Sequence, residues 1–95
     1  MILQIIRLKS GLAEDELLGR ARSREAKFKA IPGLIQKYYV KMGEPGHYGG
    51  IYVWDSKESL QSYRTSELAS SIPEAYEILE APSVEIMDVL FTLRE

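Results

Sequence analysis

The stretch GGIYVWDSKESLQSY, Gly49 to Tyr63, decides how the rest of the chain is read. A strand with one solvated face alternates apolar and polar residues. Here Ile51, Tyr52, Val53 and Trp54 are all large and largely apolar, so both faces of this strand need cover. The run then turns at once into a helix. Asp55 or Ser56 is placed to cap it, and Leu60, Tyr63 and Leu68 supply its apolar positions.

Upstream, GEPG (Gly43 to Gly46) is dense in turn formers and makes a hairpin between HYGGIYVWD and the strand LIQKYYVKM, Leu34 to Met42. IPG (Ile31 to Gly33) stops a preceding helix, because proline disfavours the helical conformation of the residue before it. That helix is expected from Glu14 to about Lys29, with Leu17, Leu18, Ala21 and Phe28 at helical spacing. Its acids come first and its bases later, as the helix dipole favours. ILQIIRLK, Ile2 to Lys9, is rich in β-branched residues and reads as the opening strand. Downstream, SIPEAYEILE begins a short turn or helix at Pro73, and SVEIMDVLFTL, Ser83 to Leu93, closes the chain as a strand. The order β-α-β-β-α-β is the ferredoxin-like pattern: a four-stranded antiparallel sheet with its helices on one face.

The totals fit one domain over residues 1–95, with 45% hydrophobic and 27% charged residues and a net charge of −2. This near-neutral balance gives no electrostatic reason to expect nucleic acid or a membrane surface as a partner. Without cysteine there are neither disulfides nor thiolate ligands, and one histidine cannot build a multi-histidine metal site. The apolar start MILQIIRLKS has about eight apolar-rich residues, too few for a signal sequence or a span, so a cytoplasmic protein is expected.

Both faces of the sheet read as apolar. The first strand puts Leu3 and Ile5 on one side and Ile2, Ile6 and Leu8 on the other. The last sets Val84, Ile86 and Leu90 against Met87, Val89, Phe91 and Leu93. Helices cover one side only. Several hundred Å² of wet apolar surface would cost roughly 10 kcal/mol, comparable to a domain's net stability. A second copy of the sheet is the cover expected, giving a homodimer through the open faces.

With these elements in place, PGLIQKYYV followed by GGIYVWDSKESLQSY resembles the YdhR-type monooxygenase family of the dimeric α/β-barrel superfamily. Pro32-Gly33, Lys37 and Gly49-Gly50-Ile51-Tyr52 carry most of the likeness. The resemblance implies cofactor-independent oxygenation of a small aromatic quinol- or anthrone-like substrate in an apolar pocket between sheet and helices. A polar group there would hold or deprotonate a phenol. The second reading is a barrel protein that binds a small apolar or aromatic molecule without transforming it. The chain departs from its wider relatives at two places. Antibiotic-biosynthesis monooxygenases place an Asn where Gly50 stands. Haem-degrading relatives carry an Asn where Ile6 falls and a histidine on the second helix, which is missing here, so haem degradation is not expected.

The candidate site follows from strand parity. Trp54 shares a face with Tyr52, Gly50 and Tyr48; the resemblance implies that it faces the inter-sheet space and lines the pocket, where it would serve as readily in dimer packing. Tyr52 bonds either a substrate oxygen or a backbone carbonyl. Gly50 marks a bulge or leaves room for a ligand or a partner's side chain. Gln4 is polar in an apolar run and is either a ligand contact or half of a buried pair. On the second strand, either Lys37 and Tyr39 or Gln36 and Tyr38 point to Trp54's face. His47 alone titrates near neutrality, although it follows turn formers directly. The assignment is thus His47, Tyr52 and Trp54 as catalytic, Gln4, Ile6, Lys37, Tyr39 and Gly50 as substrate-binding, with no metal and no cofactor. The acids of EDE (Glu14 to Glu16) and the run RARSREAK read as solvated helix faces.

Overall fold

In the computed structural model, which describes residues 1–94, the chain runs β1 (Ile2–Lys9), α1 (Glu14–Ser23), α2 (Glu25–Lys29), β2 (Leu34–Lys41), β3 (His47–Trp54), α3 (Lys57–Arg64), α4 (Glu67–Ser70), α5 (Ile72–Ala75) and β4 (Ser83–Asp88). The sheet order is β2-β3-β1-β4, with every neighbouring pair antiparallel. This is the ferredoxin-like arrangement expected from the sequence, with helices on one face of the sheet.

Local signals explain the joints. Gly33 sits at φ +83°, a left-handed conformation glycine adopts freely, and its carbonyl accepts from Asp55 N–H at 2.9 Å. That bond ties the start of β2 to the start of α3. Ser56 caps α3 by accepting from Ser59 N–H at 3.2 Å, and Ser66 caps α4 in the same way. Pro73 lies in the first turn of α5. At the hairpin, Met42 N–H donates to the His47 carbonyl and Gly46 takes φ +81°.

Two boundaries differ from the sequence reading. The helix expected from Glu14 to Lys29 is broken at Arg24, whose N–H reaches back to Ala21 rather than a full turn. The closing strand stops at Asp88, not Leu93. β4 pairs only with β1, Asp88 lies opposite Ile2, and one further bond runs from Val89 N–H to the Met1 carbonyl. Past that point no neighbouring strand is left to pair with. Leu90, Phe91 and Leu93 project into solvent, with Leu90 92% exposed.

The register sorts the side chains. Ile2, Gln4, Ile6 and Leu8 on β1 stand opposite Trp54, Tyr52, Gly50 and Tyr48 on β3, and this set faces the helices. Trp54 is fully buried and packs on Tyr63 of α3, ring centroids 5.3 Å apart. It therefore points into the helix layer, not into the space outside the sheet. Phe28, Tyr52, Trp54 and Tyr63 form one aromatic core, joined by Leu17, Ala21, Leu60 and Ile72. No described helix is long and apolar enough to cross a membrane.

Candidate functional site

A cleft opens between the sheet and the helices at the hairpin end of the sheet. Ile6 and Leu8 of β1, Lys37 and Tyr39 of β2, and Tyr48, Gly50 and Tyr52 of β3 form its floor. Leu17, Ile72 and Tyr76 close it from above. The enclosed volume is about 40 Å³, and about 410 Å³ with the open mouth included. The closed part has room for a few water molecules.

Of the eight residues singled out from sequence, the cleft brings five together: Ile6, Lys37, Tyr39, Gly50 and Tyr52. The open question on β2 is resolved by its register. Lys37 stands opposite Tyr52 and Tyr39 opposite Gly50, so these two share the helix face, while Gln36 and Tyr38 take the other. A break in register between Leu34 and Gln36 sets this phase.

Three residues fall elsewhere. Gln4 is 2% exposed, and its Oε1 accepts from the Trp54 indole N–H at 3.0 Å. Each satisfies the other's polar group within the core, the structural pair foreseen for Gln4. Neither lines the cleft. His47 is one residue out of phase with Tyr48, opposite Lys9, and its Nε2 lies 3.4 Å from Glu44 in the hairpin. As the sequence reading allowed, it belongs to the loop end of the strand.

Lys37 is the cleft's distinctive group. Its stem runs beside Gly50, where an added Cβ would lie 3.4 Å from Lys37 Cε. The Tyr52 ring is closer still, with Cε1 3.0 Å from that position, so the room glycine leaves is taken by Tyr52 and Lys37 together. The ammonium sits 3.5 Å from the Phe28 ring centroid, 4.3 Å from that of Tyr39 and 4.6 Å from that of Tyr52. Among the described residues, none of the ion pairs includes it. Burial, with the Arg24 guanidinium second, lowers its pKa from 10.5 to about 7. The negative faces of the three rings pull the other way, since a ring face favours the cation. An amine that changes protonation near neutral pH therefore lies at the floor of an aromatic cleft.

The tyrosines stay neutral. Burial pushes Tyr39 up to about 12 and Tyr52 higher still; the Tyr52 hydroxyl lies 3.3 Å from that of Tyr63 rather than on a backbone carbonyl. Burial also raises Tyr63 and Tyr76. Tyr76 is only 6% exposed, and its hydroxyl lies beside Arg24 with no partner at full hydrogen-bond geometry among the described residues.

Tyr76 and Arg24 escaped the sequence reading. Tyr76 is set by the segment after α5, which is pinned to the end of β1. Ser10 Oγ donates to the Tyr76 carbonyl at 2.6 Å, Gly11 N–H to that of Glu77, and Leu79 N–H to that of Lys9. Glu77 takes φ +47° to make this turn, and no glycine signals it. Arg24 was read as part of a solvated face. In the structure it donates to Ser71 Oγ at 2.7 Å, and its guanidinium lies 5.9 Å from the Phe28 ring centroid and 5.8 Å from that of Tyr76. A signal was present: Ala21, Arg24 and Phe28 are spaced three and four apart, on one helical stripe. Among the described residues, no group of three or more histidine or carboxylate side chains is placed to hold a metal.

No protein-family model matches the sequence, and no curated protein does. Solved structures do share the fold. The NE2512 protein of unknown function from Nitrosomonas europaea is 18% identical with a TM-score of 0.78, over 96% of this chain and 90% of its own. An antibiotic biosynthesis monooxygenase is 20% identical with a TM-score of 0.74, over 95% and 99%. SnoaB, a cofactor-independent oxygenase from Streptomyces nogalater, is 16% identical with a TM-score of 0.77, over 99% and 97%. At these identities the likeness is one of fold: the chain has the ferredoxin-like architecture found in antibiotic biosynthesis monooxygenases.

Proposed function

We propose that this protein is a cofactor-independent monooxygenase acting on a small phenolic aromatic, of quinol or anthrone type, in the cleft between sheet and helices. The observation that carries this reading is Lys37: one amine titrating near neutrality among Phe28, Tyr39 and Tyr52, within a fold shared with SnoaB. The base assigned from sequence to His47 is then Lys37, because His47 lies on another face and Trp54 is occupied with Gln4.

In this mechanism the neutral Lys37 amine takes the phenolic proton and, as ammonium, holds the resulting anion. The aromatic walls exclude water, so the anion's charge stays on the substrate ring. The electron-rich ring carbon then passes an electron to dioxygen, and the radicals combine. For an anthrone the ring CH2 and O2 become a carbonyl and water, which balances without an outside reductant. In this reading Tyr52, kept protonated by burial, exchanges its contact with the Tyr63 hydroxyl for a bond donated to a ring oxygen. Two copies are proposed to pair through the open sheet face, which carries none of the cleft-facing side chains.

A second reading, binding without turnover, is favoured by Gly50, which stands where the resemblance to antibiotic-biosynthesis monooxygenases calls for an Asn. Oxygen uptake with an anthrone and a panel of quinols separates the two. Turnover without added metal or flavin that falls at least about a hundredfold in Lys37→Met, in the range of a lost acid–base group, supports the oxygenase. Saturable binding with no uptake across the panel leaves the binding protein.

A further inference from the structure

The groups around the cleft are unbalanced in one direction. Among the described residues, Lys37 brings an ammonium without an ion pair, and Tyr76 a buried hydroxyl that can accept from the neighbouring Arg24 yet has no acceptor for its own proton. Both cations rest on the same Phe28 ring, at 3.5 and 5.9 Å from its centroid. Their mutual repulsion is one cause of the Lys37 shift. No acidic residue lines the cleft. Glu25 lines the adjoining opening together with Phe28, Lys37 and Tyr39, and pairs with Arg22 at 3.1 Å. Donors and positive charge converge here, and the acceptors that would satisfy them are not supplied by the cleft walls. Buried donors left in this state are costly, and an oxyanion in the cleft relieves those of Lys37 and Tyr76 together, the two that line it.

We infer that the ligand of this cleft is an aromatic acid, a flat apolar body bearing one carboxylate, whose oxygens accept from Lys37 and the Tyr76 hydroxyl. This rests on the second reading of the cleft, binding without turnover, because a Lys37 charged by a docked carboxylate is not free to take a phenolic proton. Two donors of different geometry suit a carboxylate, which offers two oxygens and about four lone-pair directions. The apolar body lies against Ile6, Leu8, Leu17 and Ile72. Binding is then coupled to a proton. Arg24 acts on Lys37 directly, Tyr39 on β2 and Tyr52 on β3 hold its ammonium against their rings, Glu25 lines the adjoining opening, and Tyr63 on α3 and Tyr76 after α5 stand around Tyr39. The tyrosines stay neutral to high pH, and the Arg24 guanidinium is always charged. Lys37 is left as the group that changes, gaining a proton when an anion docks beside it.

The test is anaerobic calorimetry with 2-naphthoate and its neutral amide, 2-naphthamide, at pH 8 in buffers of different ionisation enthalpy. It needs no turnover, so a failed oxygenase assay leaves it intact. Naphthoate is expected to bind at least about tenfold tighter than the amide, in line with a charge-assisted bond, and to take up close to one proton. Lys37→Met should abolish both the preference and the uptake while still melting cooperatively. Lys37→Arg should keep the preference without proton uptake, and Tyr76→Phe should lose part of it. Equal affinity for acid and amide, a preference that survives in Lys37→Met, or no binding of either probe overturns the inference.

Discussion

Lys37 gives folding a pH dependence of its own. In the unfolded chain its amine has the ordinary pKa of 10.5, while in the fold it lies at about 7. Between these values the unfolded state holds the extra proton, so this group makes stability rise with pH from about 7 to 10. Below pH 7 both states are charged and the full cost of burying the ammonium is present. The tyrosines act in the opposite sense at the alkaline end. Tyr39 at about 12 and Tyr52 above it keep protons that the unfolded chain gives up near pH 10, so stability falls beyond that point. Melting temperature is therefore expected to climb from pH 7 to a maximum between pH 9 and 10, then fall. In Lys37→Met the climb should vanish and the alkaline fall remain, with the variant more stable than the parent at pH 7. A climb that persists in the variant would place its origin elsewhere. Residue parity was legible in the sequence as two sets per strand, but not which set met the helices, since both were apolar. Lys37 and Gln36 were interchangeable for a related reason. Alternation counted from either end of β2 gives different answers once a register break separates Leu34 from Gln36.

At the scale of elements, order and type were readable because turn chemistry punctuates them: Gly33, Gly43 to Gly46, Ser56 and Pro73 each stop or start something. The ends that were misjudged lack such signals. Nothing in REAKF announces the break at Arg24, and β4 stops for want of a partner strand rather than for any residue of its own. The joint between β2 and α3 is where a single change should tell most. Gly33 combines φ +83° with close neighbours. A Cβ there would collide with the Ser59 side chain and lie 2.6 Å from Asp55 Oδ1, within a knot where Ser59 Oγ donates to Asp55 at 2.7 Å. Gly33→Ala is expected to lose about 2–3 kcal/mol, from left-handed strain and displaced neighbours together. Ser56→Ala, which removes the cap on α3 and the bond from Ser56 Oγ to Ser59 Oγ, should lose about 1 kcal/mol. In a chain of this size that separates the two by about 5–10 °C in melting temperature. Equal losses would mean that the crowding at Gly33 relaxes without cost.

At the scale of the whole molecule, the helices cover one face of the sheet, and the other is apolar through its centre. Leu3 and Ile5 of β1, Tyr38 and Val40 of β2, Ile51 and Val53 of β3, and Met87 of β4 share it by register. Gln36 shares it too, opposite Val53, as do Arg7 and Glu85, paired at 2.8 Å with Glu85 opposite Ile5. The tail beyond β4 adds Leu90, Phe91 and Leu93, all more than four-fifths exposed. A contiguous patch of this kind is uncommon on a solitary soluble chain. A second copy presents the same flat, apolar surface and can cover it symmetrically. Sedimentation at micromolar concentration is expected to show a dimer whose melting temperature rises with protein concentration, as linkage to association requires. Ile51→Lys places a charge at the centre of the face and should yield a monomer with a lower, concentration-independent melting temperature. Ile51 points away from the cleft, so the monomer should still bind 2-naphthoate in proportion to its folded fraction. Wild-type protein that sediments as a stable monomer at these concentrations would refute the pairing, yet leave Lys37 and its cleft within each chain untouched.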